Sequence, residues 1–486
     1  MKKSFLKAII LLFVLTLIFT AFSGCRGGKG KESYVSQNES SSEESVSDDD
    51  TVSDAASDDS NSTDVSKAPV GENSKSASTG ASSNSPTKIT NLKGRTITYL
   101  TYWEEPVKGV DPKGAAYWEA KKKIEKELNC TFKFVNGSRE NLASSIMAGK
   151  PMCDVFTIPN EEVYPYFKQG LLYPLSNLSG FNFNDSSQWF PPSMEFGKIN
   201  GKQYAMAASK FESGSFILYN KDLLKKYKQT DLYSMQKNGT LTWSKVFDVA
   251  RACTKDGNYG LSGYMWDQDA MGVIAGAYNG PAVQRTGDGL TFKNSMNSSG
   301  YITAYTDFQK LFLEDKCIRP ANENWQYLMN EFKNGKTAMI FSGPEYLLDV
   351  NFDAGICMIP AGRNATTFSP YYGSGVSVFS CIPATVEKPE EVAAVWNFIA
   401  PYLGPQDWRK RYQDYLSDDA LECIGMMAKA MTDKKYVLDY SVAVLPSYGE
   451  ASDVLRSIAV GTVTPAAGVQ SFSKILDTAI ADAAKK

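Results

Sequence analysis

Residues 96–159 read TITYLTYWEEPVKGVDPKGAAYWEAKKKIEKELNCTFKFVNGSRENLASSIMAGKPMCDVFTIP. The opening "TITYLTYW" is rich in Thr, Tyr and Ile, which suit a pleated backbone, and it predicts a strand. In "AYWEAKKKIEKELNC", Tyr117, Ala120, Ile124 and Leu128 recur at intervals of three and four, so they share one face of a helix. "TFKFV" predicts a second strand, "ENLASSIMAGK" a second helix and "CDVFTIP" a third strand. Strands alternating with helices bury both faces of a parallel sheet. The fold class is therefore α/β.

Further along, "GKQYAMAASKF" and "SFILYN" predict strands, and "TWSKVFDVARACT" predicts a helix with Thr242 as its N-cap. "TAMIFSG", "AGICMIP" and "VSVFSC" predict late strands. "KPEEVAAVWNFIAPYL" predicts a helix with Pro389 in its first turn and Val392, Trp396, Ile399 and Leu403 on one face. Trp118, Trp243 and Trp396 fall on predicted helices and are expected in the core. There is no internal repeat.

The region before this fold differs in kind. Lys2, Lys3 and Lys7 precede an apolar run from Ala8 to Ala21, the pattern of an export signal. Phe22-Ser23-Gly24-Cys25 follows and resembles the lipobox of bacterial lipoproteins. That resemblance implies cleavage after residue 24 and a diacylglycerol on the Cys25 thiol, and two acyl chains suffice for stable attachment. From residue 26 to about 88, Ser, Asp, Glu, Asn and Gly dominate, as in "SSSEESVSDDD". Such a segment has too little apolar surface to offset its ordering entropy, so residues 25–88 are expected to form a disordered tether.

The 486 residues carry a net charge of −3, without the basic surplus that nucleic acid requires. Histidine is absent, which excludes every nucleophilic site that relies on a His base. No cofactor and no metal site is expected. Seven cysteines remain besides Cys25, namely Cys130, Cys153, Cys253, Cys317, Cys357, Cys381 and Cys423. None forms a CxxC, and most lie in apolar surroundings that fit small buried side chains. A disulfide stays open, since spacing does not decide pairing. Gly335-Lys336-Thr337 lacks the first glycine of a phosphate loop, Asn330 standing there, and its strand follows the motif instead of preceding it. Neighbouring acids such as Glu104/Glu105 and Glu161/Glu162 do not flank a bond from two sides as glycosidase chemistry demands.

Six landmarks in order, "GKPMCDVFTIP", "FKQGLLYPLSNL", "INGKQYAMAASKFESGSFILYNKDLLKKY", "LTWSKVFDVARACTKDGNYGLSG", "EFKNGKTAMIFSGPE" and "KPEEVAAVWNFIAPYL", together resemble family 1 extracellular solute-binding proteins, the group that contains maltose-binding protein. The resemblance spans Gly94 to the C-terminus. It implies a periplasmic-binding-protein type II fold, with two α/β lobes joined by a hinge and a ligand cleft between them. Lobe one is expected over 89–208 and 334–382, and lobe two over 209–333 and 383–486. The first crossing would lie near Ala205 to Phe211. The resemblance also implies a monomeric, lipid-anchored receptor on the extracellular face. It would deliver a small molecule to the permease subunits of an ABC importer and catalyse nothing.

In open α/β sheets ligands sit beyond the carboxyl ends of the strands. That rule selects Trp103, Glu104, Asn160, Glu161, Trp266, Asp267, Glu345 and Tyr346, with Phe211 and Glu212 at the crossing and Tyr371 and Tyr372 before "GSGVSVF". The recurring pattern is an aromatic beside a carboxylate or amide. Rings pack on the C–H faces of a sugar, and carboxylates accept from its hydroxyls, so an oligosaccharide is the expected ligand. Sugar-binding members often carry Gly-Pro-Trp where this chain has Gly343-Pro344-Glu345, which points to a cationic or hydroxyl-rich group there. Two other readings of the same residues are a glycan-binding lipoprotein for sensing or adhesion, and a receptor for a non-sugar polar solute.

Overall fold

The computed structural model describes residues 89–485, apart from 109–113, 184, 186–188, 208–214, 263–275, 279, 320–324, 369, 373–377, 405–406 and 446–448. The chain divides into two units, Met1–Thr87 and Lys88–Lys486. The export signal, Cys25 and the whole tether lie outside the described residues. No helix among the described residues is long and apolar enough to cross a membrane.

Two four-stranded sheets organise the second unit. The first contains β1 (Arg95–Thr101), β2 (Cys130–Asn136), β3 (Val155–Pro159) and, on its far edge, β13 (Val378–Cys381), in the order β13-β3-β1-β2. β1 runs parallel to β2 and β3, as the alternating pattern predicts, whereas β13 pairs antiparallel with β3. The helix Gly114–Leu128 buries Tyr117, Ala120, Ile124 and Leu128, the face that the 3.6-residue period selects. The next helix is only Leu142–Met147. It stops before Gly149, whose φ of 72° breaks the helical path at no steric cost.

The second sheet has the order β11-β6-β10-β7, from β6 (Phe216–Asn220), β7 (Tyr259–Ser262), β10 (Thr337–Ser342) and β11 (Ala354–Cys357). All five residues of β6 are buried, and it lies antiparallel between β10 and β11. The helix Trp243–Cys253 packs on this sheet beside β7, and the Thr242 side chain accepts from the Lys245 amide as its N-cap. Trp243 and Trp396 are fully buried and Trp118 is half-buried.

The pairing departs from the lobe boundaries that the resemblance implies. β10 and β11, expected in lobe one, hydrogen-bond to β6 of the second sheet. A fully buried strand needs a partner on each side for its main chain, and these two supply them. The helix Pro389–Ile399, expected in lobe two, buries Val392, Trp396 and Ile399 with Ile97, Tyr99 and Tyr117 of the first sheet and its helix. The Trp396 and Tyr99 rings stand 4.7 Å apart.

Three two-stranded pairs complete the picture. β4 (Lys198–Ile199) and β5 (Lys202–Gln203) form a hairpin, and so do β8 (Val283–Arg285) and β9 (Phe292–Asn294). The expected strand over 201–211 is thus reduced to β5 and a bridge from Met206 to Ser380. Beside it the buried Gln203 side-chain amide donates to the carbonyls of Met194 and Ala205, and residues 208–211 of the expected strand lie outside the described residues. β12 (Tyr371–Tyr372) pairs with β14 (Val437–Leu438). Beside that pair lies Asp439, 1% exposed. Its carboxylate accepts from the Ala282 amide (2.6 Å), the Tyr371 hydroxyl (2.5 Å) and both the amide (2.8 Å) and hydroxyl (2.5 Å) of Ser441.

All seven cysteines are buried free thiols. Burial pushes Cys130 and Cys253 up to about 11 and Cys153 and Cys423 up to about 12, so these act as inert apolar filling.

Candidate functional site

The carboxyl edge of the first sheet gathers the polar and aromatic groups that strand ends should present. β1 ends at Thr101, and the next two residues turn their rings outward: Tyr102 is 36% and Trp103 47% exposed. Their centroids lie 5.0 Å apart with the planes tilted by 49°, a continuous apolar ledge. Glu104 is exposed and accepts from the Asn136 side chain, at the end of β2, at 2.6 Å. Glu105 is committed elsewhere, to Lys121 (2.8 Å) and the Tyr117 hydroxyl (2.6 Å).

β3 leads directly into the helix Asn160–Lys168. Asn160 is 5% exposed, and its side-chain oxygen accepts from the Glu161 amide. Glu161 and Glu162 occupy the first turn, where the helix dipole favours negative charge. Glu162 is held by Arg139, which reaches over from the turn after β2 with two hydrogen bonds, of 2.5 and 3.0 Å. The same guanidinium lies 5.8 Å from the Tyr102 ring centroid. Glu161 is half-buried, and its carboxyl is raised above its ordinary range. Burial is the main cause, its own amide hydrogen bond works against it, and the neighbouring Glu162 adds to it. Burial likewise raises the Tyr102 hydroxyl.

A second group stands at the carboxyl edge of the other sheet. After β10, Glu345 begins a short 3-10 helix, Pro344–Leu347. Its carboxylate folds back over Gly343, where a Cβ would come within 2.4 Å of it, so a side chain at 343 would push the carboxylate aside. The Tyr412 hydroxyl stands 3.4 Å from that carboxylate. Tyr346 is half-buried, with its hydroxyl pushed up to about 12 by burial and by Glu345.

The chain passes from the first sheet to the second between Met206 and Phe216. Met206 bridges to Ser380 of the first sheet, and β6 begins at Phe216, which pairs with Ser342 at the carboxyl end of β10. An extended chain between Met206 and Phe216 spans at most about 35 Å.

Of the residues expected from the sequence, Trp103, Glu104, Asn160 and Glu161 belong to the first edge, and Glu345 and Tyr346 to the second. Tyr371 and Tyr372 are tied into the β12–β14 wall, with the Tyr371 hydroxyl on Asp439 and that of Tyr372 3.0 Å from the Ser193 hydroxyl. Phe211, Glu212, Trp266 and Asp267 lie outside the described residues. Tyr102, Arg139 and Glu162 were not anticipated. Among the described residues, no three His, Cys, Asp or Glu side chains are grouped to hold a metal ion.

A pocket of about 360 Å³ lies elsewhere, lined by Glu195, Gln284, Arg285, Lys434, Tyr436, Leu438 and Tyr440. Arg285 spends its donors internally, on the Lys198 carbonyl (2.5 Å), the Glu195 carbonyl (3.0 Å) and the Tyr164 hydroxyl (3.1 Å). The Glu195 carboxylate accepts from Tyr436 at 2.6 Å, and the Tyr440 hydroxyl is buried without a partner.

These two sheets with their helices belong to a type II periplasmic-binding-protein fold. Residues 115–417 match the family of bacterial extracellular solute-binding proteins, and the chain belongs to that family. Solved structures carry the same fold. The ABC substrate-binding protein Lmo0181 of Listeria monocytogenes, in complex with cycloalternan, is 18% identical with a TM-score of 0.58, covering 80% of this chain and 99% of its own. The maltose-maltodextrin binding protein of Alicyclobacillus acidocaldarius is 18% identical with a TM-score of 0.57, covering 79% of this chain and 100% of its own. UgpB of Mycobacterium tuberculosis, in complex with glycerophosphocholine, is 17% identical with a TM-score of 0.58, covering 80% and 99%. Comparison with curated protein sequences found no match.

Proposed function

We propose that this solute-binding protein captures an oligosaccharide between its two sheet edges and delivers it, unchanged, to the permease of an ABC importer. The observation that carries the reading is the Tyr102–Trp103 ledge beside Glu161. An exposed double ring surface next to a partly desolvated carboxylate matches a sugar, which offers C–H faces to the rings and hydroxyl donors to the acid. Glu104, Asn160, Glu345 and Tyr346 complete the proposed contacts. The structural neighbours in complex with cycloalternan, or named for maltose and maltodextrin, support this ligand class.

The sheet pairing supports revised lobes. Lobe one takes residues 89–207 and 378–403, and lobe two takes 216–357 and the chain from 408 onward. Closure of one on the other is stabilised only by a ligand that touches both. The chain is a monomer held at the extracellular face of the membrane by lipid on Cys25, with residues 25–88 as a tether.

A thermal-shift screen of the soluble chain from residue 89 against linear and cyclic oligosaccharides, glycerophosphocholine and short peptides tests the reading. A ligand at 100 times its Kd adds ~2.7 kcal/mol to stability. Stabilisation by oligosaccharides alone is expected. Stabilisation by glycerophosphocholine or peptides with none from any sugar overturns the oligosaccharide assignment. Turnover of a bound sugar overturns the assignment as a binding protein.

A further inference from the structure

We infer that Arg139 is a positioning residue, whose guanidinium fixes the Tyr102–Trp103 ledge and so sets how this site grips its ligand. The inference rests on the reading above for its ligand class, but its geometry stands independently. Arg139 sits in the turn between β2 and the helix Leu142–Met147. From there it makes two hydrogen bonds to Glu162, which follows β3, and lies against the ring of Tyr102, which follows β1. One planar group thus joins the ends of all three parallel strands of the first sheet.

The arrangement needs arginine in particular. A guanidinium offers a flat face to a ring and an edge with paired donors to a carboxylate at the same time, whereas an ammonium is a point charge. Side-chain exposures of 24% for Arg139 and 31% for Glu162 place the pair partly out of water, where it is screened less. Tyr102 contacts the Trp103 ring, so its orientation passes to the most exposed ring of the ledge. Arg139 spends these hydrogen bonds on Glu162 and reaches Glu161 only through space, its charge opposing the rise that burial causes, so Glu161 is the acid offered to a ligand.

The first arm of the test needs no ligand. The emission of Trp103, taken as the difference between the chain and its Trp103→Phe variant, is quenched with acrylamide. Arg139→Met should raise the quenching constant about three-fold, in line with loss of a ring contact of this type. Arg139→Lys should restore only part of it. Glu162→Gln, which leaves the arginine in place, should move it in the same direction by less, and it keeps the test alive if Arg139→Met does not fold. In a Tyr102→Ala background, Arg139→Met should change nothing. Unchanged quenching in both Arg139→Met and Glu162→Gln, or an equal effect with and without Tyr102, overturns the proposal.

The second arm titrates maltotetraose. About ten-fold weaker binding is expected for Arg139→Met, again only when Tyr102 is present. Equal loss in both backgrounds overturns the positioning role. If maltotetraose fails to bind the unaltered chain, the ligand assignment has failed, and the quenching arm still decides the role of Arg139.

Discussion

Arg139 and Arg285 invite comparison. Each lies over a tyrosine ring, Tyr102 at 5.8 Å and Tyr440 at 4.8 Å, and each has a glutamate beside it. Around Arg285 the chain answers most of its own polarity, the Tyr440 hydroxyl excepted: carbonyls of Lys198 and Glu195 take the donors, and the Glu195 carboxylate takes the Tyr436 hydroxyl. Around Arg139 it does so only for Glu162. The rings beyond it stay exposed, and Glu161 stays raised by burial even though the Arg139 charge pulls it the other way. Satisfied polarity builds structure, and polarity left open invites a ligand. Four substitutions break or sharpen that contrast.

The largest effect should come from Trp103→Ala. Loss of the outer ring should weaken oligosaccharide binding by about 2–3 kcal/mol, on the scale of an aromatic hot spot. The melting temperature should barely move, because a ring 47% exposed packs little. Calorimetric titration beside a thermal melt reads both. Next is Arg285→Ala, with the opposite signature. Two carbonyls lose their donor, and stability should fall by about 2 kcal/mol in urea unfolding while affinity stays within about two-fold.

Glu161→Gln should reduce affinity about ten-fold through loss of a charge-assisted acceptor. Its effect on stability has the other sign. A carboxyl whose folded value is raised binds more protons folded than unfolded, so stability falls as pH rises from its ordinary value near 4.5 through the raised one. Removing the charge should therefore raise the melting temperature at pH 7, with the gain fading toward pH 4. Melts at both pH values check this. The smallest change belongs to Tyr440→Phe, which deletes a buried hydroxyl that has no partner. Stability should hold or rise by less than about 1 kcal/mol, with binding unchanged.

Much of the first edge, where the candidate site is proposed, was legible in the sequence, because strand ends are legible. The β-rich runs and the helical spacing of Tyr117, Ala120, Ile124 and Leu128 locate β1 and β3, and the residues after them are Trp103, Glu104, Asn160 and Glu161. The same rule applied after "TFKFVN" reaches Arg139 three residues on, but a lone arginine in a turn reads as a solvated charge until Glu162 is seen beside it. Tyr102 was hidden by alternation, which assigns it to the strand. The division between sheets was not legible at all. β10, β11 and β13 look alike in sequence, and only the antiparallel register with β6 or β3 separates them.

Asp439 carries a consequence for how the molecule is assembled. Its carboxylate collects donors from residues 282, 371 and 441, so segments separated by up to 157 positions meet at one atom pair. Until the last tenth of the polypeptide has emerged, that knot has no centre, and the Tyr371 hydroxyl and the Ala282 amide lack their Asp439 partner. Such long-range closure is slow compared with local helix formation. The final packing step thus waits for the tail, which keeps the nascent polypeptide loose while it is still being made.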